Sequence, residues 1–257
     1  MKTMKFSNLF KTAAVIVFSL TVLSSCSKED TAKGGAGFLF KATYSGTSSE
    51  TTKSDSKVEN VQLSNGVVIE SFKINIEEIE LAFDDNDPMF ETDSIASDIE
   101  LEGPFEIDLV VEGKTMETML VDIVELPTAA YDEIEFKFRK SDNSISEMFM
   151  KSFLVKGTIN DIPFIFWSDE HIEIEIEFDN NVYLDEVKHA VITVSFDIVS
   201  LFDPANGGID ISNAVDGNGN GIIEIYPDDP DGNEELAELL WDRIEDVIEA
   251  FEDSYDD

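Results

Sequence analysis

Phe72-Lys73-Ile74-Asn75-Ile76-Glu77-Glu78-Ile79-Glu80-Leu81-Ala82-Phe83 decides the fold class. Phe72, Ile74 and Ile76 recur at every second residue, the period of a strand with one buried face. Ile79, Leu81 and Phe83 keep that period on the opposite parity. One extra residue in a strand sends every later side chain to the other face. The switch at Glu77-Glu78 therefore predicts a long strand interrupted by a β-bulge.

Alternation of the same kind extends in both directions. Ile99, Leu101, Phe105, Ile107 and Leu109 run across a Gly103-Pro104 turn, and Met119, Val121 and Ile123 lead to a break at Leu126-Pro127. Ile134, Phe136 and Phe138 alternate with charged residues. Phe153 to Ile159 and Ile162 to Trp167 flank Asn160-Asp161, and both turn residues tolerate the left-handed region, so a tight hairpin is expected. Pro163 fits a strand start or an edge. Ile172-Glu-Ile174-Glu-Ile176-Glu-Phe178 is the clearest strand, and Ile192, Val194, Phe196 and Ile198 match it. The count is about nine or ten strands with no helix between Val61 and Phe202, which predicts a mainly β chain. The expected architecture is an antiparallel β-sandwich with one C-terminal amphipathic helix, a barrel being the other arrangement of such strands. The sandwich should occupy residues 61–202, and a short strand is also legible at 38–44.

Residues 203–257 change character. After a Gly-, Asn-, Asp- and Pro-rich stretch, Leu236, Leu239, Leu240, Ile244, Val247, Ile248 and Phe251 recur at helical spacing. Asp231 followed by Glu234 has the spacing of a capping box, so a helix is expected from about Gly232 to Asp253. Its other face carries Glu235, Glu238, Asp242, Glu245, Asp246, Glu249 and Glu252. Like charges at these spacings, and acids in the last turn, disfavour an isolated helix. It must dock, either on its own β domain or on a partner.

The one stretch with site chemistry is Asp216-Gly217-Asn218-Gly219-Asn220-Gly221-Ile222-Ile223-Glu224. It has the spacing of an EF-hand-type calcium loop. Oxygens of Asp216, Asn218 and Asn220 would converge on one hard cation, and Gly221 would permit the sharp turn. Ile222 would offer its carbonyl and Glu224 its carboxylate. The twelfth position, where a bidentate Glu belongs, is Pro227; Asp228 or Asp231 could take that place if the chain leaves the loop on another path. Two neutral Asn ligands point to a weak site, of about 10⁻⁴ to 10⁻³ M. The competing reading is a polar turn.

The chain carries 17 Lys+Arg against 56 Asp+Glu, a formal net charge of −39. That argues against nucleic acid and anionic lipid surfaces as partners and favours cations. Two histidines, one cysteine and the absence of Gly-x-Ser-x-Gly, His-Glu-x-x-His and Cys-x-x-Cys leave no recognisable catalytic motif. A glycosidase-like carboxylate pair among so many acids cannot be located from sequence. Glu173, Glu175 and Glu177 read as a solvated strand face. Trp167 and Trp241 lie in apolar patterns, which favours core packing over sugar stacking.

The N-terminus has the grammar of an export signal: Lys2, Lys5 and Lys11, an apolar run from Ala13 to Leu23, then Ser24-Ser25-Cys26. The run is too short to cross a bilayer. Leu23-Ser24-Ser25-Cys26 resembles the bacterial lipobox, which implies a diacylglycerol on Cys26 and a signal peptide spanning 1–25. Lys28-Glu29-Asp30 resembles the surface-export signal of Bacteroidetes-type lipoproteins, and residues 26–60 read as a tether. Asp30-Thr31-Ala32 and Asp93-Ser94-Ile95 resemble the O-glycosylation motif of such proteins.

Ile74-Asn-Ile76-Glu-Glu-Ile79-Glu-Leu81, Phe105-Glu-Ile107-Asp108-Leu109 and Glu125-Leu126-Pro127-Thr-Ala-Ala-Tyr131-Asp-Glu-Ile134 resemble a family of exported bacterial β-domain lipoproteins of unassigned function. The resemblance spans roughly residues 72–201. It implies an extracytoplasmic sandwich and transfers no catalytic residue; Ala130 stands where the family pattern has glycine. The expected protein is a lipid-anchored outer-membrane or surface module, stabilised by calcium, that binds or scaffolds and catalyses nothing. One alternative is an accessory subunit of an uptake system that binds glycan or protein; a second is a hydrolase using acidic residues.

Overall fold

In a computed structural model the described residues are 33–44, 61–84, 99–127, 130–183, 189–244 and 248–254. The signal peptide, Cys26, Lys28-Glu29-Asp30 and both glycosylation-like motifs lie outside them. Residues Thr31–Asp257 form one compact unit.

The strands run β1 (Lys33–Thr43), β2 (Val61–Gln62), β3 (Val67–Phe83), β4 (Ile99–Val111), β5 (Lys114–Thr115), β6 (Glu117–Pro127) and β7 (Ala130–Phe138). They continue with β8 (Phe153–Ile159), β9 (Ile162–Ser168), β10 (Ile172–Tyr183) and β11 (His189–Asp197). Helix α1 (Ile198–Phe202), β12 (Ile223–Ile225), helix α2 (Glu234–Ile244) and β13 (Ile248–Ser254) complete the chain.

The fold is mainly β and sandwich-like, with two open sheets. One sheet has the order β13-β11-β1-β6. The other carries β10-β7-β3-β8-β9-β12, with β4 and β2 also paired to β3. The inner faces meet through aromatic rings: Phe40 on β1 is edge-on to Phe136 on β7 at 5.8 Å, and Phe196 on β11 is edge-on to Phe72 and Phe138 at 6.0 and 6.4 Å. All five are buried. Edge-on pairs of this kind add directional preference to the burial of large apolar area.

The bulge expected at Glu77-Glu78 is present. Ile76 pairs with Phe138 and Glu78 with Lys137, so Glu77 is the extra residue against β7. Phe72, Ile74 and Ile76 before it and Ile79, Leu81 and Phe83 after it are all buried. The bulge also marks a change of neighbour: β8 pairs with residues 67–74 of β3 and β7 with residues 76–83. The expected hairpin is equally clear. Ile159 pairs with Ile162, and Asn160 and Asp161 both have positive φ, 48° and 68°. Exposed Pro163 stands at the start of β9.

Four expectations need correction. The pairing is not wholly antiparallel, because β1 runs parallel to β11 and β12 parallel to β9. Parallel neighbours require long crossovers, and period-two patterning does not encode direction. The strand expected at 38–44 is longer, since β1 begins at Lys33 and pairs with both β11 and β6. β11 stops at Asp197, whose carboxylate accepts from Val199 N and Ser200 N and caps α1, so Ile198 begins a helix where a strand residue was expected. The C-terminal helix is α2 alone; Ile248–Ser254 instead adds an antiparallel strand to the edge of β11. Extending α2 would stack acids in its last turn, whereas pairing with β11 satisfies the backbone and covers an edge.

The outer face of the larger sheet concentrates acids. Glu133 and Glu135 on β7 stand between Ala82 and Glu80 of β3 and Glu177 and Glu175 of β10. Glu173, Glu175 and Glu177 are exposed, as expected of a solvated face. Lys137 answers part of this charge, pairing with Glu78, with Glu80 at 3.3 Å and with Glu135 at 3.9 Å. Burial, then the hydrogen-bonded Glu175 carboxyl, push Glu133 up to about 7, with Asp132 and Glu135 adding to the rise. A carboxyl that keeps its proton to higher pH when folded stabilises the fold while protonated. That stability is lost as pH rises from about 4.5 through about 7. The melting temperature should therefore be higher near pH 5 than near pH 8, and Glu133→Gln should shrink the difference. Thermal melts at the two pH values check this; an unchanged pH difference in the variant would contradict it.

Candidate functional site

Residues 215–233 fold into a closed loop wired to the edge of the larger sheet. Gly221, at φ 88°, makes the turn that the EF-hand-type pattern assigns to it. Asp216 accepts Asn220 N at Oδ1, 3.0 Å, and Gly221 N at Oδ2, 2.8 Å. Asn218 Oδ1 accepts the same Asn220 N at 2.9 Å, and Asn220 Oδ1 accepts Ile222 N at 2.8 Å. Asn218 Nδ2 and Asn220 Nδ2 both donate to Glu224 Oε2, at 2.9 and 3.1 Å. Asp216, Asn218, Asn220 and Glu224 thus converge on one another. Each side-chain oxygen that accepts an N–H keeps a second lone pair. Ile222 is exposed, and Ile223 is buried as the loop's apolar anchor.

Asp228 does not join this group. It is exposed, has φ 58° and makes no hydrogen bond to Asp216, Asn218, Asn220 or Glu224. Asp231 comes back to the loop instead: its carboxylate accepts Asn218 N at 3.0 Å and Glu224 N at 2.8 Å. It therefore does not cap α2 in the manner of a capping box. Asn233 stands at the helix start, its carbonyl accepting Leu236 N and Ala237 N. Its side chain reaches back, accepting Val215 N at 3.1 Å and donating to Val215 O at 2.9 Å and Glu224 O at 2.7 Å. Asp229 accepts Asp231 N, Gly232 N and Asn233 N. Asp229, Asp231 and Asn233 are all buried. Gly217 is the only residue type that fits its place, since a Cβ there would lie 2.3 Å from Asp231 O.

The loop leads directly into a cleft of about 470 Å³. β9 supplies Trp167 and Ser168, the loop exit supplies Pro227 and Asp228, and α2 supplies Glu234, Glu238, Trp241 and Asp242. Trp167 and Trp241 are half-buried; Trp241 packs against the core, as expected, and both also border the same space. Tyr226 joins the loop to the cleft. Its hydroxyl donates to Glu224 Oε1 at 2.7 Å, and its ring stacks on Trp167 at 4.7 Å and 24°. Burial, then the Glu224 hydrogen bond and nearby carboxylates, push the Tyr226 phenol up to about 12. Sequence spacing could not reveal this cleft, because β9 and α2 meet only in the folded chain.

Among the described residues, one group of three acids brings its oxygens within 4.8 Å of one another, and it is Glu78, Glu80 and Glu100 rather than the acids of the loop. The Lys137 ammonium already pairs with Glu78 and Glu80. No helix among the described residues is long and apolar enough to cross a membrane. No protein-family model matches this chain, and no curated protein or solved structure matches it significantly.

Proposed function

We propose that this chain is an exported, lipid-anchored binding or scaffold module, stabilised by calcium and without catalytic activity. The observation that carries the reading is the convergence of Asp216, Asn218, Asn220 and Glu224 beside a half-buried aromatic cleft, with Tyr226 linking the two. Those four side chains and the Ile222 carbonyl would hold the cation, with Asp231 ordering the loop from behind through two backbone N–H groups. Calcium would supply charge neutralisation in a chain with a net charge of −39. A calcium-loaded loop would also stiffen the start of α2, one wall of the cleft.

Hydrolysis is the weaker reading. A glycosidase acid needs a carboxyl kept protonated by apolar surroundings. The five carboxylates at the cleft, Glu170, Asp228, Glu234, Glu238 and Asp242, are all exposed. Binding therefore fits the lining better than proton transfer. The partner is a protein or glycan at the cell surface in the accessory-subunit version of this reading, and nucleic acid is disfavoured by charge.

The anchor is tested by fractionating cells that express wild type and Cys26→Ser. The thiol is the acylation point, and acyl chains contribute about 0.8 kcal/mol per buried methylene. The variant should leave the membrane fraction as a folded, soluble protein. A variant that stayed with the membrane would remove Cys26 as the attachment point.

A further inference from the structure

The cleft between β9 and α2 has a composition that selects a class of ligand. Glu234, Glu238 and Asp242 recur at every fourth residue of α2 and form one stripe along the cleft. Glu170 and Asp228 face them from the other elements, and among the described residues no basic one lines the space. Like charges at i,i+4 repel by a few tenths of a kcal/mol each, so the stripe is unfavourable unless a cation answers it. Lys73, Lys137 and Lys156 are engaged with acids elsewhere. Arg243, on α2 itself, turns to Ser200 O.

The aromatic lining adds a second, independent preference. Trp241 meets Phe153 edge-on at 5.6 Å and 80° and borders the cleft. An indole face attracts cations through its quadrupole, and the attraction grows as the cation is desolvated. The neighbouring indole already takes part in such a contact: Lys151 Nζ lies 5.8 Å from the Trp167 ring centroid. Tyr226 covers a face of Trp167, which leaves Trp241 as the platform for a ligand. The volume, about 470 Å³, suits a small organic molecule or one long side chain.

We propose that the Trp167–Trp241 cleft binds an organic cation, an ammonium or guanidinium on an aliphatic chain, with Trp241 against the chain and cation and the α2 carboxylates around the charge. Such a group is offered by a free polyamine or by the lysine or arginine of a peptide. Neutral sugar would use the indole but leave five carboxylates without counter-charge. The inference rests on the binding-module reading and specifies its ligand.

The test is calorimetric titration of the purified full-length protein, in saturating calcium, with cadaverine, agmatine, a lysine-containing tripeptide and, as the neutral probe, cellobiose. Saturable one-to-one binding of the amines is expected, weakened by added salt. The exposed double change Glu238→Gln with Asp242→Asn should weaken it at least about tenfold, equivalent to about 1.4 kcal/mol. Tighter binding of the tripeptide than of cadaverine would assign the cation to a peptide, and the reverse to a free amine. Trp241→Leu should also weaken binding, but it touches Phe153 in the core, so the surface double variant decides. No saturable amine binding, equal amine affinity in the double variant, or binding of cellobiose alone would each overturn the proposal. Calcium binding at the loop is read separately, from the calcium-dependent melt of the wild-type protein. A failed calcium response with intact amine binding would therefore count against the loop alone.

Discussion

Replacing Gly157 by alanine will unfold this protein more easily than almost any other single-methyl addition. A glycine in a strand interior ordinarily gives up about 0.5–1 kcal/mol relative to alanine, so propensity alone predicts a gain. Here the sign reverses. Gly157 lies on β8 opposite Ile69, beside a register shift in β3. A Cβ built on it would stand 1.9 Å from the Val68 carbonyl oxygen and 3.0 Å from Phe164. The first neighbour is backbone in a central strand and cannot swing away. Either β8 withdraws from β3 or the ladder breaks. Overpacking in cores costs about 1–3 kcal/mol, and a backbone clash belongs at or above the upper end. The melting temperature should fall by roughly 6–12 °C at about 2–4 °C per kcal/mol. An unchanged melt would mean that β3 and β8 are not in this register.

Asn233→Ala should have an effect of similar size for a different reason. The side chain is buried and serves three backbone groups, Val215 N, Val215 O and Glu224 O. Alanine leaves all three without their partner. A buried group stripped of its partner costs about 1–3 kcal/mol, and some relaxation of the loop will reduce the sum, so about 3 kcal/mol is expected. Asn233→Asp is the informative companion. It keeps an acceptor for Val215 N but faces two carbonyls with another acceptor, and it adds charge near Asp229 and Asp231. It should be no better than alanine. Urea unfolding of the three proteins checks the ranking; an aspartate variant as stable as wild type would show that the donor role is not needed.

Much of the sandwich was legible because its signals are local. The parity switch at Glu77-Glu78 marks the bulge, since each strand residue reports its own face. Asn160-Asp161 marks the hairpin, since left-handed turns demand particular residues. The loop's turn at Gly221 follows from the same logic. What escaped was non-local or competitive. The β1–β11 pairing joins strands far apart in the chain, and nothing in either strand states its partner. Helical spacing continues from Ile244 to Phe251, yet β11 offered an open edge and took Ile248–Ser254 as a strand. Asp231 has the spacing of a helix cap, but two backbone N–H groups of the loop compete for its carboxylate and win. Trp167 and Trp241 lie 74 positions apart, so their shared cleft depends on β9 and α2 packing together.

These features give the loop a double place in the molecule. It closes the sheet edge through β12, and it sets the position of α2 through Asp229, Asp231 and Asn233. The proposed cation would strengthen both at once. The most direct measurement is a thermal melt of the purified protein with and without about 5 mM calcium, for wild type and Asp216→Ala, with sodium chloride at matched ionic strength as control. With a dissociation constant of about 10⁻⁴ to 10⁻³ M, binding should add about 1–2 kcal/mol. That raises the wild-type midpoint by roughly 2–8 °C, while Asp216→Ala should gain no more than it gains from salt. A wild-type midpoint that calcium does not move, or an equal rise in Asp216→Ala, would contradict a calcium-stabilised loop.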